Sequence, residues 1–200
     1  MRAVTKLTDS FIRKGYLPEE DRELYEYGFD IIIYTVWSTA VLLLLGAVLR
    51  QFRAAVIIVS MFYVFQSSGG GYHANSHLKC LLYMVVGLLA GLSFRFLNDR
   101  PALLWSLLGL GCMLLLSCPL VLHPNKSYLE AERKRLTIRS IITTLSLLVI
   151  VISIRLWKTD VFKNELLFAF SAAFLLSGIS RIIGKSYTKN RRRFLNKLDI

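Results

Sequence analysis

The sequence has few cysteines and lacks an apolar leader, and both absences narrow the class of protein. Three cysteines in 200 residues are an odd, sparse set that does not make a disulfide framework. Cys112 and Cys118 lie in an apolar run, where free cysteines act as small buried hydrophobic residues. The first 28 residues are polar and charged, so no cleavable signal peptide is predicted.

Acidic residues are also scarce, with 13 aspartates and glutamates against 25 lysines and arginines, for a net charge of +12. Nucleic-acid-binding proteins carry such an excess, but so do membrane proteins whose spans are flanked by basic residues. Hydrophobic residues make up 54% of the chain, more than a soluble domain of this size needs for its core. The composition therefore predicts a protein of the lipid bilayer and not a partner of nucleic acid.

Six apolar segments account for the hydrophobic content. They lie at about 29–49, 54–68, 78–97, 102–122, 138–157 and 162–183. Because about 20 apolar residues cross the hydrocarbon core as a helix, we predict an all-α, polytopic membrane helical bundle that forms a single domain over 1–200. The second segment is short, which leaves both a full span and a partly re-entrant helix open. Residues 184–200 form a basic tail.

The N-terminal region, 1–28, precedes these segments and contains a predicted amphipathic helix. Within 3–15, Val4, Leu7 and Phe11 fall near one helical face, with charged residues largely elsewhere. Such a helix lies on the membrane surface or docks on the rest of the protein, and the pattern does not decide between the two.

The distribution of basic residues predicts the orientation. With six spans, 18 of the 25 lysines and arginines fall on one side, which holds both termini and the connections at 66–79 and 123–139. Because cytoplasmic segments carry the excess of basic residues, we expect the termini and both connections to be cytoplasmic.

The connection SSGGGYHANSHLKC, at 67–80, combines flexible backbone with reactive side chains. A cysteine nucleophile needs a thiolate and a base, and a nearby histidine or a helix N-terminus lowers the pKa of a thiol from about 8.5 to roughly 3.5–7.5. Asn75 or Ser76 is suited to cap the third span, which would put Cys80 in the first or second turn of that helix.

Spacing alone favours His77 over His73 as the base for Cys80. In a continuous helix His77 faces Cys80 across one turn, whereas His73 lies about 10 Å away along the axis, beyond a hydrogen bond of about 3 Å. His73 can act only if the chain folds back, which glycine permits. Three glycines precede it: Gly69, Gly70 and Gly71.

Two further interpretations of this cluster remain. An interfacial histidine beside a packed thiol has no catalytic role. A metal site of His73, His77 and Cys80 lacks a fourth ligand and the usual paired spacing, so no metal or other cofactor is expected.

The stretch GGGYHANSHLKC resembles the G-G-x-H-A…C signature of the accessory gene regulator B (AgrB) peptidases, membrane cysteine endopeptidases of Gram-positive quorum sensing. A second stretch, CPLVLHPNKSYLEAERKR at 118–135, is similar to the family's proline-containing P-N-K segment with its following acidic and basic residues. Length, charge and the number of apolar segments fit as well, so the resemblance covers nearly the whole chain.

The resemblance implies that His73 is the catalytic histidine and Cys80 the nucleophile, so it favours His73 over His77 and implies non-helical backbone over 69–73. The family often has an arginine where this chain has Gln66, whose amide we consider as a donor to an oxyanion. The candidate site-shaping residues are Gln66, Gly69, Gly70 and Gly71.

The resemblance also implies a substrate, an AgrD-type precursor peptide with an acidic C-terminal tail, and a homodimer in the bilayer. Four basic residues on the side of the site are candidates to hold that tail by charge pairing: Lys126, Arg133, Lys134 and Arg135. Ordinary positive-inside charge explains them equally well.

A non-enzymatic transporter or channel is the competing class of function. Such proteins carry charges along a pathway inside the membrane. Here the charges cluster at the ends of the predicted spans, apart from residues such as Arg95 and Glu165.

Overall fold

The computed structural model describes residues 2–72, 76–121, 128–157 and 161–197. Two of the predicted site residues, His73 and Lys126, lie outside these ranges. The described ranges contain seven α-helices and no strand, and 88% of the residues in them are helical. The helices are α1 (Arg2–Arg13), α2 (Arg22–Val48), α3 (Phe52–Gly69), α4 (His77–Ser93), α5 (Pro101–Ser117), α6 (Glu130–Trp157) and α7 (Val161–Lys197).

The six predicted apolar segments appear as helices α2 to α7, which confirms the all-α membrane bundle. Five of them are long and apolar enough to cross a membrane, and α5, with 17 residues, is shorter. The second predicted segment is one continuous helix, α3, of 18 residues. It therefore has the length of a full span.

Helix α7 lies at the centre of the bundle and packs against α3, α4, α5 and α6. Its most apolar stretch is 61% buried, against 17% for the corresponding stretches of α2, α4 and α6. Small residues allow this central position: a Cβ built on Gly111 of α5 would lie 2.5 Å from the backbone nitrogen of Leu175. Close backbone approach of this kind is how membrane helices gain packing energy without a hydrophobic driving force.

The predicted amphipathic helix is α1, and it docks on α2. Val4 and Thr8 are buried, the Phe11 and Phe29 rings are 5.6 Å apart, and Arg22 Nη1 lies 2.8 Å from Asp9 Oδ1. The sequence left open whether this helix lies on the membrane surface or docks on the rest of the protein. In the structure it docks on α2.

The helices alternate in direction, so their connections gather at two ends of the bundle. At one end the segment after α5 meets the segment after α3, where Val121 N donates to Gly69 O at 2.8 Å. At the other end the turn between α2 and α3 approaches the start of α7, around a cleft lined by Arg50, Arg53 and Arg95. The fold thus brings the C-terminal ends of α3 and α5 to the same end of the bundle.

Candidate active site

The backbone leaves the helix directly after Gly69, which is the last residue of α3. Gly70 N donates to Gln66 O at 2.8 Å, and Gly70 has a φ of +72° with a ψ of −173°, a backbone conformation that is essentially confined to glycine. Gly71 and Tyr72 follow without helical structure. The non-helical backbone expected here therefore begins at Gly70, one residue later than the expected range of 69–73.

Close packing explains the neighbouring glycines. A Cβ on Gly69 would overlap the carbonyl oxygen of Pro119 and lie 2.5 Å from Ser140 Oγ. A Cβ on Gly71 would lie 2.5 Å from Gln66 Oε1. We refer to residues 69–72 as the glycine turn; it is a tightly packed crossing rather than a loose hinge.

Arg181 of α7 lies beside this turn and is buried, with 1% of its surface exposed. Its guanidinium donates to Ser140 Oγ at 2.7 Å, to Phe65 O at 2.9 Å and to Pro119 O at 3.1 Å. Carbonyls near helix C-termini lack intrahelical partners and carry partial negative charge. One buried cation therefore joins the ends of α3 and α5 to α6 and α7.

Arg181 was not among the predicted site residues, because it was counted with the basic C-terminal residues. The signal that identifies it is its context, an arginine directly after the apolar run FAFSAAFLLSGIS. Ionisable residues inside a span generally have a structural or functional partner.

Cys80 lies in the first turn of α4, as expected. Ser76 is the N-cap, and its Oγ accepts a hydrogen bond from Lys79 N at 3.4 Å, so the capping alternative at Ser76 is the one observed. Cys80 is half-buried, whereas Cys112 and Cys118 are buried. Of the three thiols, that of Cys80 is thus the accessible one, at the positive end of a helix.

His77, the histidine that spacing favours, is held by α2. Its Nε2 lies 3.0 Å from Asp30 Oδ2, and its ring meets that of Tyr34 edge-on at 4.4 Å. The Tyr34 hydroxyl donates to the carbonyl of His77 at 3.0 Å. His77 therefore has partners of its own on α2.

The chain just before His73 lies against α4. Tyr72 N donates to Ser180 Oγ at 3.3 Å, and the Tyr72 ring packs on Tyr83 at 5.2 Å and on Tyr187 at 5.7 Å. Because Tyr83 follows Cys80 by three residues, on the same side of α4, the glycine turn returns the chain to the part of α4 that carries Cys80.

Gln66 lies behind the glycine turn, between α3 and α7. Its Nε2 is 3.4 Å from Ser180 Oγ, the atom that also accepts from Tyr72 N. Gln66 thus supports the turn through Ser180, whose hydroxyl is the hydrogen-bond partner of the Gln66 amide nitrogen.

Two of the four basic candidates meet in an open cleft of about 430 Å³. Arg133 and Lys134 line it together with Lys185 of α7, against the segment 118–120 and Glu130. Arg135 is exposed and outside this lining. The sequence alone did not identify Lys185, because it comes from the tail and meets the others only in the folded bundle.

Within the described ranges, no group of three or more histidine, cysteine, aspartate or glutamate side chains is arranged to hold a metal ion.

Residues 4–182 match the family model of accessory gene regulator B. No curated protein and no solved structure matches the chain at a significant level.

Proposed function

The chain belongs to the accessory gene regulator B family, and we propose from this that it is a membrane cysteine endopeptidase. Membership implies a part in the processing of quorum-sensing peptides, with an AgrD-type precursor as the substrate. The proposed reaction removes the acidic C-terminal tail of that precursor and closes a thiolactone ring.

In this mechanism His73 takes the proton of the Cys80 thiol, and the thiolate attacks the carbonyl carbon at the tail junction. The C–N bond breaks, the tail amine takes the proton from His73, and a thioester with Cys80 remains. A thiol of the precursor then attacks the thioester, forms the thiolactone and returns a proton to the Cys80 sulfur. Exchange between two thioesters is nearly isoenergetic, so the acyl group stays activated.

The observation that carries the proposal is the position of Cys80. It is a partly exposed thiol in the first turn of α4, at the positive end of the helix. The packed glycine turn places Tyr72, the residue before His73, against the same helix. A fixed approach for the base and an accessible nucleophile are what this chemistry requires.

The cleft formed by Arg133, Lys134 and Lys185 is the proposed site for the acidic tail. Three cations outnumber the one acidic lining residue, Glu130, so a peptide with several carboxylates is attracted there. The cleft shares the segment 118–120 with the glycine turn, which brings tail binding and cleavage to one end of the bundle.

We also propose that this end faces the cytoplasm and that two copies associate in the bilayer. The excess of basic residues supports the orientation, and the family resemblance implies the dimer. Thiol labelling of Cys80 by membrane-impermeant reagents from each side, and chemical crosslinking in proteoliposomes, measure the two properties separately.

A transporter or channel is less well supported. Such a protein needs charges that face a pathway, but the Arg181 guanidinium is enclosed by carbonyl and hydroxyl oxygens of three helices, α3, α5 and α6, and of the segment after α5.

Cleavage of the cognate precursor in proteoliposomes tests the proposed function. We expect Cys80→Ala and His73→Ala each to reduce tail removal by about 10³-fold or more, with Cys112→Ala as the matched cysteine control near the wild-type rate. Normal tail removal by Cys80→Ala would falsify the peptidase. Loss of cleavage in His77→Ala but not in His73→Ala would identify His77 as the base instead.

A further inference from the structure

Helix α2 approaches the nucleophile through Tyr34, a residue that the sequence did not single out. Its hydroxyl donates to the carbonyl oxygen of His77 at 3.0 Å, in the same helical turn as Cys80, and interacts electrostatically with the Cys80 thiol. Tyr34 thus reaches the turn of α4 that carries the sulfur, from a position 43 residues before His77 in the chain.

The position of Tyr34 is held from both sides. Asp30 and Tyr34 share one face of α2, four residues apart, and His77 and Cys80 share one face of α4, three residues apart. The His77 ring packs against the Tyr34 ring at 4.4 Å, and the Asp30 carboxylate holds His77 Nε2 at 3.0 Å. The Asp30–His77 pair therefore orients the phenol toward the start of α4.

We propose that Tyr34 is a catalytic hydrogen-bond donor that stabilises the Cys80 thiolate, an inference that rests on the proposed peptidase function. In the resting thiol the Tyr34 O–H donates to the carbonyl of His77, and the phenol oxygen accepts from the thiol S–H. Once the proton leaves the sulfur, the phenol O–H turns from the carbonyl to the sulfur. Tyr34 keeps its own proton throughout.

The hydrogen bond has its greatest effect on the charged form of the sulfur. A donor to a thiolate favours ionisation, and hydrogen bonds to charged groups are stronger than those between neutral groups. When the sulfur is acylated it loses its charge, and the phenol returns to the carbonyl of His77. The interaction thus increases the fraction of reactive thiolate without adding a bond that persists in the thioester.

Other described titratable groups near the sulfur are committed elsewhere. Tyr83 interacts electrostatically with both Cys80 and Ser180, and its ring packs on Tyr72. His77 is bound to Asp30. Among the described side chains, Tyr34 is therefore the one whose hydroxyl we expect to donate a hydrogen bond to the sulfur when the sulfur becomes charged.

Alkylation of Cys80 as a function of pH tests this role without requiring peptide cleavage. The full-length protein in proteoliposomes is treated with iodoacetamide, and modification of Cys80 is followed by peptide-resolved mass spectrometry. Tyr34→Phe keeps the ring against His77 but removes the donor. We expect the midpoint of the alkylation profile to move up by about one pH unit, with the plateau at high pH unchanged.

Tyr63→Phe is the matched control. The Tyr63 hydroxyl also joins α3 to α2, 3.0 Å from Thr39 Oγ1, so the variant loses a comparable interhelical hydrogen bond that does not involve the sulfur. Its alkylation profile is expected to match that of the wild type. Tyr34→Phe should also cleave precursor about tenfold more slowly near neutral pH and recover as the pH rises, which a merely structural role would not produce.

The outcomes separate this inference from the proposed function. An unchanged midpoint in Tyr34→Phe, with cleavage still abolished by Cys80→Ala, overturns the role of Tyr34 and leaves the peptidase intact. A lower plateau with an unchanged midpoint shows that Tyr34 acts only through packing, which also overturns it. Cleavage that survives Cys80→Ala overturns the peptidase and with it a catalytic role for Tyr34.

Discussion

The two regions that flank residues 73–75 differ in how firmly they are held. On one side, Ser68, Gly69 and Gly71 are buried, and a Cβ on Gly69 would collide with groups from three other parts of the chain. On the other side, residues 76–79 are exposed and Cys80 is half-buried, with α2 supplying the contacts to His77 and Cys80. The fold thus separates a tightly packed turn before residue 73 from a partly exposed start of α4 that carries Cys80.

Replacing Arg181 should reduce stability more than any other substitution considered, and cleavage with it, because its guanidinium joins the helices around the glycine turn. Arg181→Gln cannot reach all of the carbonyls and hydroxyls that the guanidinium satisfies, and buried acceptors without partners are costly. We expect a loss of about 3 kcal/mol in the free energy of unfolding and little remaining cleavage. Thermal unfolding in detergent measures the first and precursor processing the second.

Arg53→Gln is the control for this prediction, because Arg53 is exposed at the other end of the bundle. If both glutamine variants unfold at the same temperature, the hydrogen bonds of Arg181 do not support the glycine turn.

Gly69→Ala should have the next largest effect. The new methyl group would displace Pro119, Ser140 or Arg181, and such overpacking costs about 1–3 kcal/mol. We expect cleavage to fall by at least tenfold. Gly87→Ala on α4 is the matched control, since nothing lies within 4 Å of its Cβ and alanine favours helix there. Equal cleavage by the two alanine variants would contradict the rigid turn.

Ser76→Ala tests the exposed region. Loss of the N-cap hydrogen bond to Lys79 N should destabilise the start of α4 by about 1 kcal/mol. Because this region is lightly packed, we expect fraying of the first turn, seen as faster hydrogen exchange at 77–80, without a change in the glycine turn. Ser76→Asp restores an acceptor and should restore protection. Equal loss of protection in both regions would mean that they form one cooperative unit.

A substitution in the basic cleft should have the smallest effect on precursor processing. Lys134→Glu is expected to raise the KM for a precursor with an acidic tail about threefold, with a weaker effect at high salt, because exposed charge pairs are weak and screened. Arg135→Glu adds the same charge outside the cleft lining and is the control. An equal rise in KM for both variants would point to general attraction by the loop rather than to this cleft.

Helix positions and the cap of α4 were predictable because they depend on neighbours in the chain. Long apolar runs predicted α2 to α7, and Ser76 was one of two suitable caps for α4. The roles of His73 and Cys80 came from family resemblance, since spacing alone favoured His77. The structure gives His77 its own partners in Asp30 and Tyr34, which helical spacing within 73–80 could not indicate.

By itself the sequence determined that this chain is a helical membrane protein with a cysteine at the start of a helix, since hydrophobic length and capping act over a few residues. Tertiary structure alone decided what surrounds that cysteine. Tyr34 reaches α4 across 43 positions, and Arg181 reaches Phe65 across 116. Such contacts depend on which helix faces pack together, because in a low-dielectric interior a buried polar group is costly unless the packing brings it a partner.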